Sequence, residues 1–309
     1  MTVSVTTEAY LLAKRSVDDR ALDRRVLEHF AAALTERADG GPVSILEVGA
    51  GPGTMVARLA DWGVLPPSVR YRAVDRNPDC IAIARERLPG WLASAGYRVE
   101  CDADGRLLAT DGAHSLEITL EVGDAFAETH EVDAVVAAAV LDIVDLESAI
   151  EHFRAVLGEG GLVYAPITFD GETGFAPRDP RDEPLVAAYH RHMDEIREEP
   201  GSSRCGRAFL SAWPASGGAI LAAGGGDWLI RPTATYPADE APDGERGYPN
   251  REVRVLEYLL ETIEGALGDY PPEVVDPAVC ERWLARRRSE LERADLVFVA
   301  HNLDVLARV

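Results

Sequence analysis

Two rhythms of apolar residues alternate along the chain. Short runs rich in Val, Ile, Leu and Ala read as buried strands: "SILEV" (44–48), "YRAVD" (71–75), "LEITLEVGD" (116–124), "VDAVVAAAV" (132–140) and "GGLVYAPITFD" (160–170). Between them apolar positions recur three and four residues apart, the mark of amphipathic helices. "KRSVDDRALDRRVLEHFAAAL" (14–34) predicts a first helix with Ser16 as its cap and Asp18 and Asp19 in its first turn. Its apolar stripe is Ala21, Leu22, Val26, Leu27 and Phe30, and Gly40, Gly41 and Pro42 end it. Further helices are predicted from near Thr54, from Pro78 to near Ser94, and over "DLESAIEHFRAVL" (145–157). Continuous apolar strands between such helices predict a parallel sheet covered on both faces.

The segment "YRVECDADGRLLAT" (97–110) alternates half-polar and carries Asp104-Gly105, which predicts a surface hairpin. Past Asp170 the rhythm changes. "DGETGFAPRDPRDEP" (170–184) predicts a loop, "LVAAYHRHMDEI" (185–196) a helix, and "GGAILAAGGGDWLIRP" (217–232) a strand or hairpin. Helices near 250–267 and 277–293 follow, and "DLVFVAHNLDVLARV" (295–309) closes the chain as a strand, so the helices read as a cap inserted before it.

Composition narrows the classes. No apolar run approaches the roughly 20 residues that span a bilayer, and no basic stretch precedes an apolar one at the start, so neither a membrane span nor a secretory signal is expected. Cys80, Cys101, Cys205 and Cys280 lack paired spacing and read as free thiols of a cytoplasmic protein. A formal charge of −22 opposes nucleic-acid or anionic-membrane partners. Lys14 is the only lysine.

The sharpest signal is "SILEVGAGPGTMVARL" (44–59), where a strand meets glycines at alternate positions, Gly49, Gly51 and Gly53, and then a helix. Such glycines admit unusual backbone angles and let a ligand reach the backbone, and the following helix offers free amides. Asp75 ends the next strand, where a ribose would lie at the switch point of the sheet. Together they predict a nucleoside site. Dinucleotide sites want a third glycine in the G-x-G-x-x-G spacing, and Glu47 beside the loop suits a ligand bearing an amino group better than a pyrophosphate.

"LEVGAGPG" (46–53) resembles the first motif of class I S-adenosylmethionine-dependent methyltransferases. "AVDRNP" (73–78), "VGDAF" (122–126), "DAVVAAAVLDIVD" (133–145) and "GEGGLVYAPI" (158–167) resemble the later motifs in order. The resemblance implies an α/β, doubly wound, mostly parallel seven-stranded sheet with an antiparallel last strand, an N-terminal helical lid and an inserted helical cap. The divisions expected are a lid at 1–40, a cofactor-binding core at 41–170, a cap at 171–294 with a sheet strand near 218–233, and the closing strand at 295–309. It further implies S-adenosylmethionine as cofactor, with Gly49, Ala50, Gly51 and Gly53 wrapping its methionine and ribose portion and Glu47 near the amino-acid end. Asp75 would take the ribose hydroxyls with Arg76 beside it, Asp124 and the Ala125 amide would read adenine, and Ala138 would offer a backbone carbonyl. Arg15, on the lid, would pair with the cofactor carboxylate.

Methyl transfer from a sulfonium needs an aligned nucleophile more than a catalytic group. The candidates for acceptor chemistry are Tyr10, His190 with Tyr189 beside it, and Asp142, which like Asp170 falls just after a predicted strand end. The Asn/Asp-Pro-Pro-Tyr/Phe stretch of amino methyltransferases is missing, and Gly171 follows Asp170 where metal-dependent catechol enzymes carry Asn, so no metal is expected. The expected function is methyl transfer to a small-molecule acceptor. The alternatives are an NAD-type oxidoreductase, a non-catalytic binding protein of the same fold, or a protein or RNA methyltransferase.

Overall fold

The computed structural model describes residues 5–38, 41–198, 200–233 and 247–309. Gly40 of the predicted helix stop and 234–246 of the predicted cap lie outside the described residues. Helices α1 (Thr7–Ala21) and α2 (Arg24–Arg37) precede β1 (Val43–Val48), α3 (Thr54–Asp61), β2 (Ser68–Asp75) and α4 (Pro78–Ser94). Strands β3 (Arg98–Cys101), β4 (Leu107–Thr110), β5 (Ser115–Val122) and β6 (Val132–Val136) follow, then α5 (Leu146–Val156) and the long β7 (Leu157–Ala176). The remainder is α6 (Asp182–Glu195), α7 (Cys205–Ala215), β8 (Ala219–Gly225), β9 (Trp228–Ile230), α8 (Val253–Gly268), α9 (Pro277–Glu292) and β10 (Val297–Arg308).

The chain folds as two compact units. The first holds 22–168, 205–226 and 303–309; the second holds the described residues of 1–21, 169–204 and 227–302. In the first, strands run in the order β3-β4-β5-β2-β1-β6-β7-β10-β8. The pairs β1–β2, β1–β6, β2–β5 and β6–β7 are parallel, and β10 is antiparallel to β8. Strand order therefore reverses about β1, the switch point at which open α/β sheets bind ligands.

Side chains of this sheet alternate between two buried faces. One carries Leu46, Val48, Val135, Val163 and Val305 against Phe153 of α5 and Phe209 and Trp213 of α7. On the other, Phe30 of α2 stacks on Tyr164 at 4.6 Å. Burial on both sides explains why these strands read as unbroken apolar runs.

The sheet has ten strands among the described residues, where seven were expected. The 97–110 hairpin is there, and it joins the sheet because β4 pairs antiparallel with β5 and buries Leu107 and Ala109 in continuation of the β5 face. The third extra strand, β9, pairs with Phe298–Ala300 of β10 in the second unit.

Four local expectations need correction. The first predicted helix is two helices: Asp23 caps α2 through Arg25 N and Val26 N, breaking the chain within the predicted stripe. Ser16 caps nothing, since it lies inside α1 and its hydroxyl donates to Glu252. The predicted loop at 170–176 is the end of β7. Helix α7 was not foreseen, because Gly206 near its start and Pro214 in its last turn mask its apolar face.

In the second unit, α1 is fastened to α8 and β9. Tyr10 stacks on Tyr258 with centroids 4.0 Å apart, and Arg20 pairs with the buried Glu252 at 2.7 Å. Lys14 pairs with Asp18 at 2.7 Å, lies over the Trp228 ring, and leaves only 12% of its side chain exposed. Deeper in, the fully buried Arg287 meets Glu290, Asp182 and the Pro177 carbonyl, so its charge is matched where burial alone would be costly. No helix among the described residues is long and apolar enough to cross a membrane. All four cysteines are free.

Candidate cofactor-binding site

Strand β1 ends at Val48, and the chain turns through Gly49, Gly51 and Gly53 with φ of +63°, +54° and +77°. Left-handed backbone at alternate positions is what glycine allows and other residues resist. The three serve different neighbours. A Cβ on Gly49 would meet Val140 at 2.6 Å, so there the turn after β6 packs directly on the loop. Gly53 caps α3 against Ala84 and Leu88. A Cβ on Gly51 would meet nothing within 4 Å, leaving this backbone open to a ligand.

The loop is tied to β2. The Gly51 amide donates to Asp75 Oδ2 at 2.7 Å, Asn77 N donates to Asp75 Oδ1 at 2.8 Å, and Ala50 N donates to the Val74 carbonyl. Two amides fix the carboxylate plane while leaving lone pairs for further donors, since a carboxylate accepts about four. Beside it Arg76 pairs with Asp124 at 2.7 Å, both side chains largely exposed. That hydrogen bond, with the Phe126 amide, holds the Asp124 carboxyl below its ordinary range. Asp124 caps the single turn Ala125–Ala127, which puts Ala125 directly after it and buried. Ala138 lies in the turn after β6, between Ala137, whose amide donates to the Tyr164 carbonyl, and Ala139, whose amide donates to Pro166.

Glu47 is buried at 2% exposure, and its Oε2 accepts from Tyr71 OH at 2.8 Å. Burial pushes its carboxyl up to about 8 against the pull of the Tyr71 bond and of the buried Arg58. The same burial raises the Tyr71 phenol. Asp142 sits on the short turn Leu141–Ile143 of the first unit.

The remaining predicted residues belong to the second unit. Arg15 and Tyr10 are on α1, and Tyr10 spends one ring face on Tyr258. His190, on α6, meets Thr173 Oγ1 at 2.9 Å through Nε2 and packs edge-on to Phe169. Burial lowers its pKa, so the imidazole is neutral near pH 7. Asp170 is buried and bridges to Arg204.

Sequence reasoning missed Asn77, Tyr71, Arg58 and His152. An Asn before Pro78 is a helix-cap signal, and it was available. Tyr71 shares a strand face with Asp75, and its spacing from Glu47 across two strands becomes visible only through the register that pairs Glu47 with Ala73. His152, on α5, packs against Phe126 with centroids 5.3 Å apart, and no local pattern announces that contact.

Residues 46–163 match the family model described as a methyltransferase domain. None of the curated proteins matches the sequence. Among solved structures, the chain is similar to a S-adenosylmethionine-dependent methyltransferase from Geobacter sulfurreducens in complex with S-adenosylhomocysteine (13% identity, 98% of this chain and 99% of that one, TM-score 0.47). It is also similar to a S-adenosylmethionine-dependent methyltransferase from Thiobacillus denitrificans with the same ligand (13% identity, 98% and 99%, TM-score 0.43). The domain match spans the strands that meet at the switch point and the glycine turn between β1 and α3, so residues 46–163 are similar to a methyltransferase domain. Neither the oxidoreductase nor the non-catalytic alternative gains a supporting observation.

Proposed function

We propose that the chain transfers the methyl group of S-adenosylmethionine to a small-molecule acceptor. One convergence at the switch point supports this reading: the open Gly51, the Asp75 carboxylate held by that glycine's own amide, and the Arg76–Asp124 pair. In this reading Gly49, Ala50, Gly51 and Gly53 form the bed of the cofactor, and Asp75 accepts from the ribose hydroxyls with Arg76 flanking. Asp124 and the Ala125 amide read the adenine edge, and the Ala138 carbonyl faces the ligand. Arg15 is the proposed partner of the cofactor carboxylate. Glu47 works from beneath the loop as a buried, largely neutral acid at pH 7.

The cofactor supplies an already activated methyl group when bound, so the chain's task is placement and exclusion of water. His190 is the proposed group for an acceptor that must lose a proton, since a neutral imidazole can take one. Tyr10 and Asp142 are the other candidates for holding the acceptor. A small acceptor fits the charge of −22, which repels nucleic acid at long range.

Calorimetry with S-adenosylhomocysteine and, separately, with NAD tests the cofactor; binding of NAD alone would overturn the reading. Labelled S-adenosylmethionine offered with fractionated small-molecule, protein and RNA extracts tests the acceptor. Label confined to the protein or RNA fraction would refute the small-molecule assignment.

A further inference from the structure

Among the described residues of the first unit, two other than glycine hold left-handed backbone, and a hydrogen bond joins their turns. Ala139 has φ +54° in the turn after β6, and Ile167 has φ +56° within β7. A β-branched residue in that region is a genuine outlier, and such conformations persist only where surrounding contacts impose them. Here the contacts can be followed atom by atom. Ile167 is buried, and its amide donates to Asp304 Oδ1 at 2.8 Å. The other oxygen, Oδ2, accepts from Asp23 N at 2.8 Å at the start of α2. Asp304 is fully buried, so its carboxylate owes its place to such donors. One residue before Ile167, the Pro166 carbonyl accepts from Ala139 N at 3.0 Å. One residue after Ala139, the Val140 side chain fills the space where Gly49 would carry a Cβ.

We propose that Asp304 is a positioning residue for methyl transfer: by clamping Ile167 in a left-handed bend it fixes Pro166, the Ala138–Ala139 turn and, through Val140, the glycine loop. The chain of contacts is Asp304, Ile167, Pro166, Ala139, Val140 and Gly49, and it contains no group that touches cofactor at its Asp304 end. The inference rests on the proposed reading only where Ala138 and Gly49 are taken to line the cofactor site. Without the clamp, Ile167 relaxes to an ordinary strand conformation, the Pro166 carbonyl swings, and the Ala139 amide loses its acceptor.

The test uses the full chain with Asp304→Ala, Asp304→Asn and Ile167→Gly, alone and combined. Asparagine keeps the volume and one carbonyl acceptor, which guards against loss of folding. Hydrogen exchange without ligand reads the clamp itself: in Asp304→Ala the amide of Ala139 is expected to exchange at least tenfold faster, with α4 unchanged. Calorimetry with S-adenosylhomocysteine reads the consequence: affinity is expected to fall tenfold or more in Asp304→Ala and less in Asp304→Asn, whose remaining oxygen can still accept from Ile167. Glycine adopts φ +56° without a clamp, so Ile167→Gly in the Asp304→Ala background is expected to restore most of that affinity, a rescue that a merely structural carboxylate would not permit. Unchanged exchange at Ala139 overturns the clamp whether or not the chain binds cofactor. Faster exchange with wild-type affinity overturns the positioning role. Failure of the unmodified chain to bind S-adenosylhomocysteine overturns the cofactor reading and leaves the exchange result to decide the clamp.

Discussion

Replacing Glu47 with glutamine asks whether a carboxyl beneath the glycine loop is charged or neutral in the folded chain. The side chain is buried, accepts from Tyr71 and lies near Arg58, and burial outweighs both to raise its pKa from 4.5 to about 8. The folded value stands above the unfolded one. The folded chain therefore keeps this proton between about pH 4.5 and 8, while the unfolded chain has released it. The stability linked to Glu47 is full below about 4.5 and is lost as pH rises through about 8. At roughly 1.4 kcal/mol per unit, the whole window is worth on the order of 5 kcal/mol. Glu47→Gln, which mimics the protonated carboxyl, should match the wild type near pH 4.5 and become progressively more stable than it up to about pH 8. Urea unfolding of both chains across that range reads the difference, which cancels every other titrating group. A variant less stable than wild type at high pH would show that Arg58 holds Glu47 ionised, and the reasoning from burial would be wrong.

Asp75→Ala removes a charge-assisted acceptor worth roughly 1.5–3 kcal/mol, so calorimetric affinity for S-adenosylhomocysteine should fall about tenfold to a hundredfold; an unchanged affinity would remove Asp75 from the site. Gly51→Val places a β-branched residue at φ +54° in open space, and it should abolish binding while costing about 1–2 kcal/mol of stability, as read by paired calorimetry and thermal melting. Since α1 is fastened to α8 through Tyr10, Ser16 and Arg20, exchange of its amides in the ligand-free chain should be as slow as that of α8. Protection that arises only on adding S-adenosylhomocysteine would mark the segment as a detachable lid.

What was legible in the sequence was whatever one strand or helix specifies on its own. The run Pro78–Ser94 carries its own start signal and apolar face, so α4 lies where the pattern puts it. The glycine turn and Asp75 were visible because each follows an apolar run directly. Helix breaks were harder: Leu22 and Asp23 lie in an amphipathic stretch, and only the capping of α2 by Asp23 and the acceptance of its amide by Asp304 separate α1 from α2. The contacts that organise the site cross long sequence separations, such as Asp304 to Ile167 and Arg76 to Asp124, and no local pattern encodes them. Two of the three glycines illustrate the same point, since their spacing is identical to the eye while one faces Val140 and another faces open space.

The solitary Lys14 has a practical consequence. Its ammonium is engaged by Asp18 and lies over the Trp228 ring, so reagents that seek side-chain amines meet almost nothing to react with. Amine-directed cross-linking or surface coupling would report this chain as inert, whereas carboxyl-directed chemistry would find acidic side chains in abundance, 53 against 31 basic ones. Conversely, a lysine introduced at any exposed position becomes a nearly unique chemical handle, and the glycine loop or the β3–β4 hairpin can be tagged singly without first clearing the background.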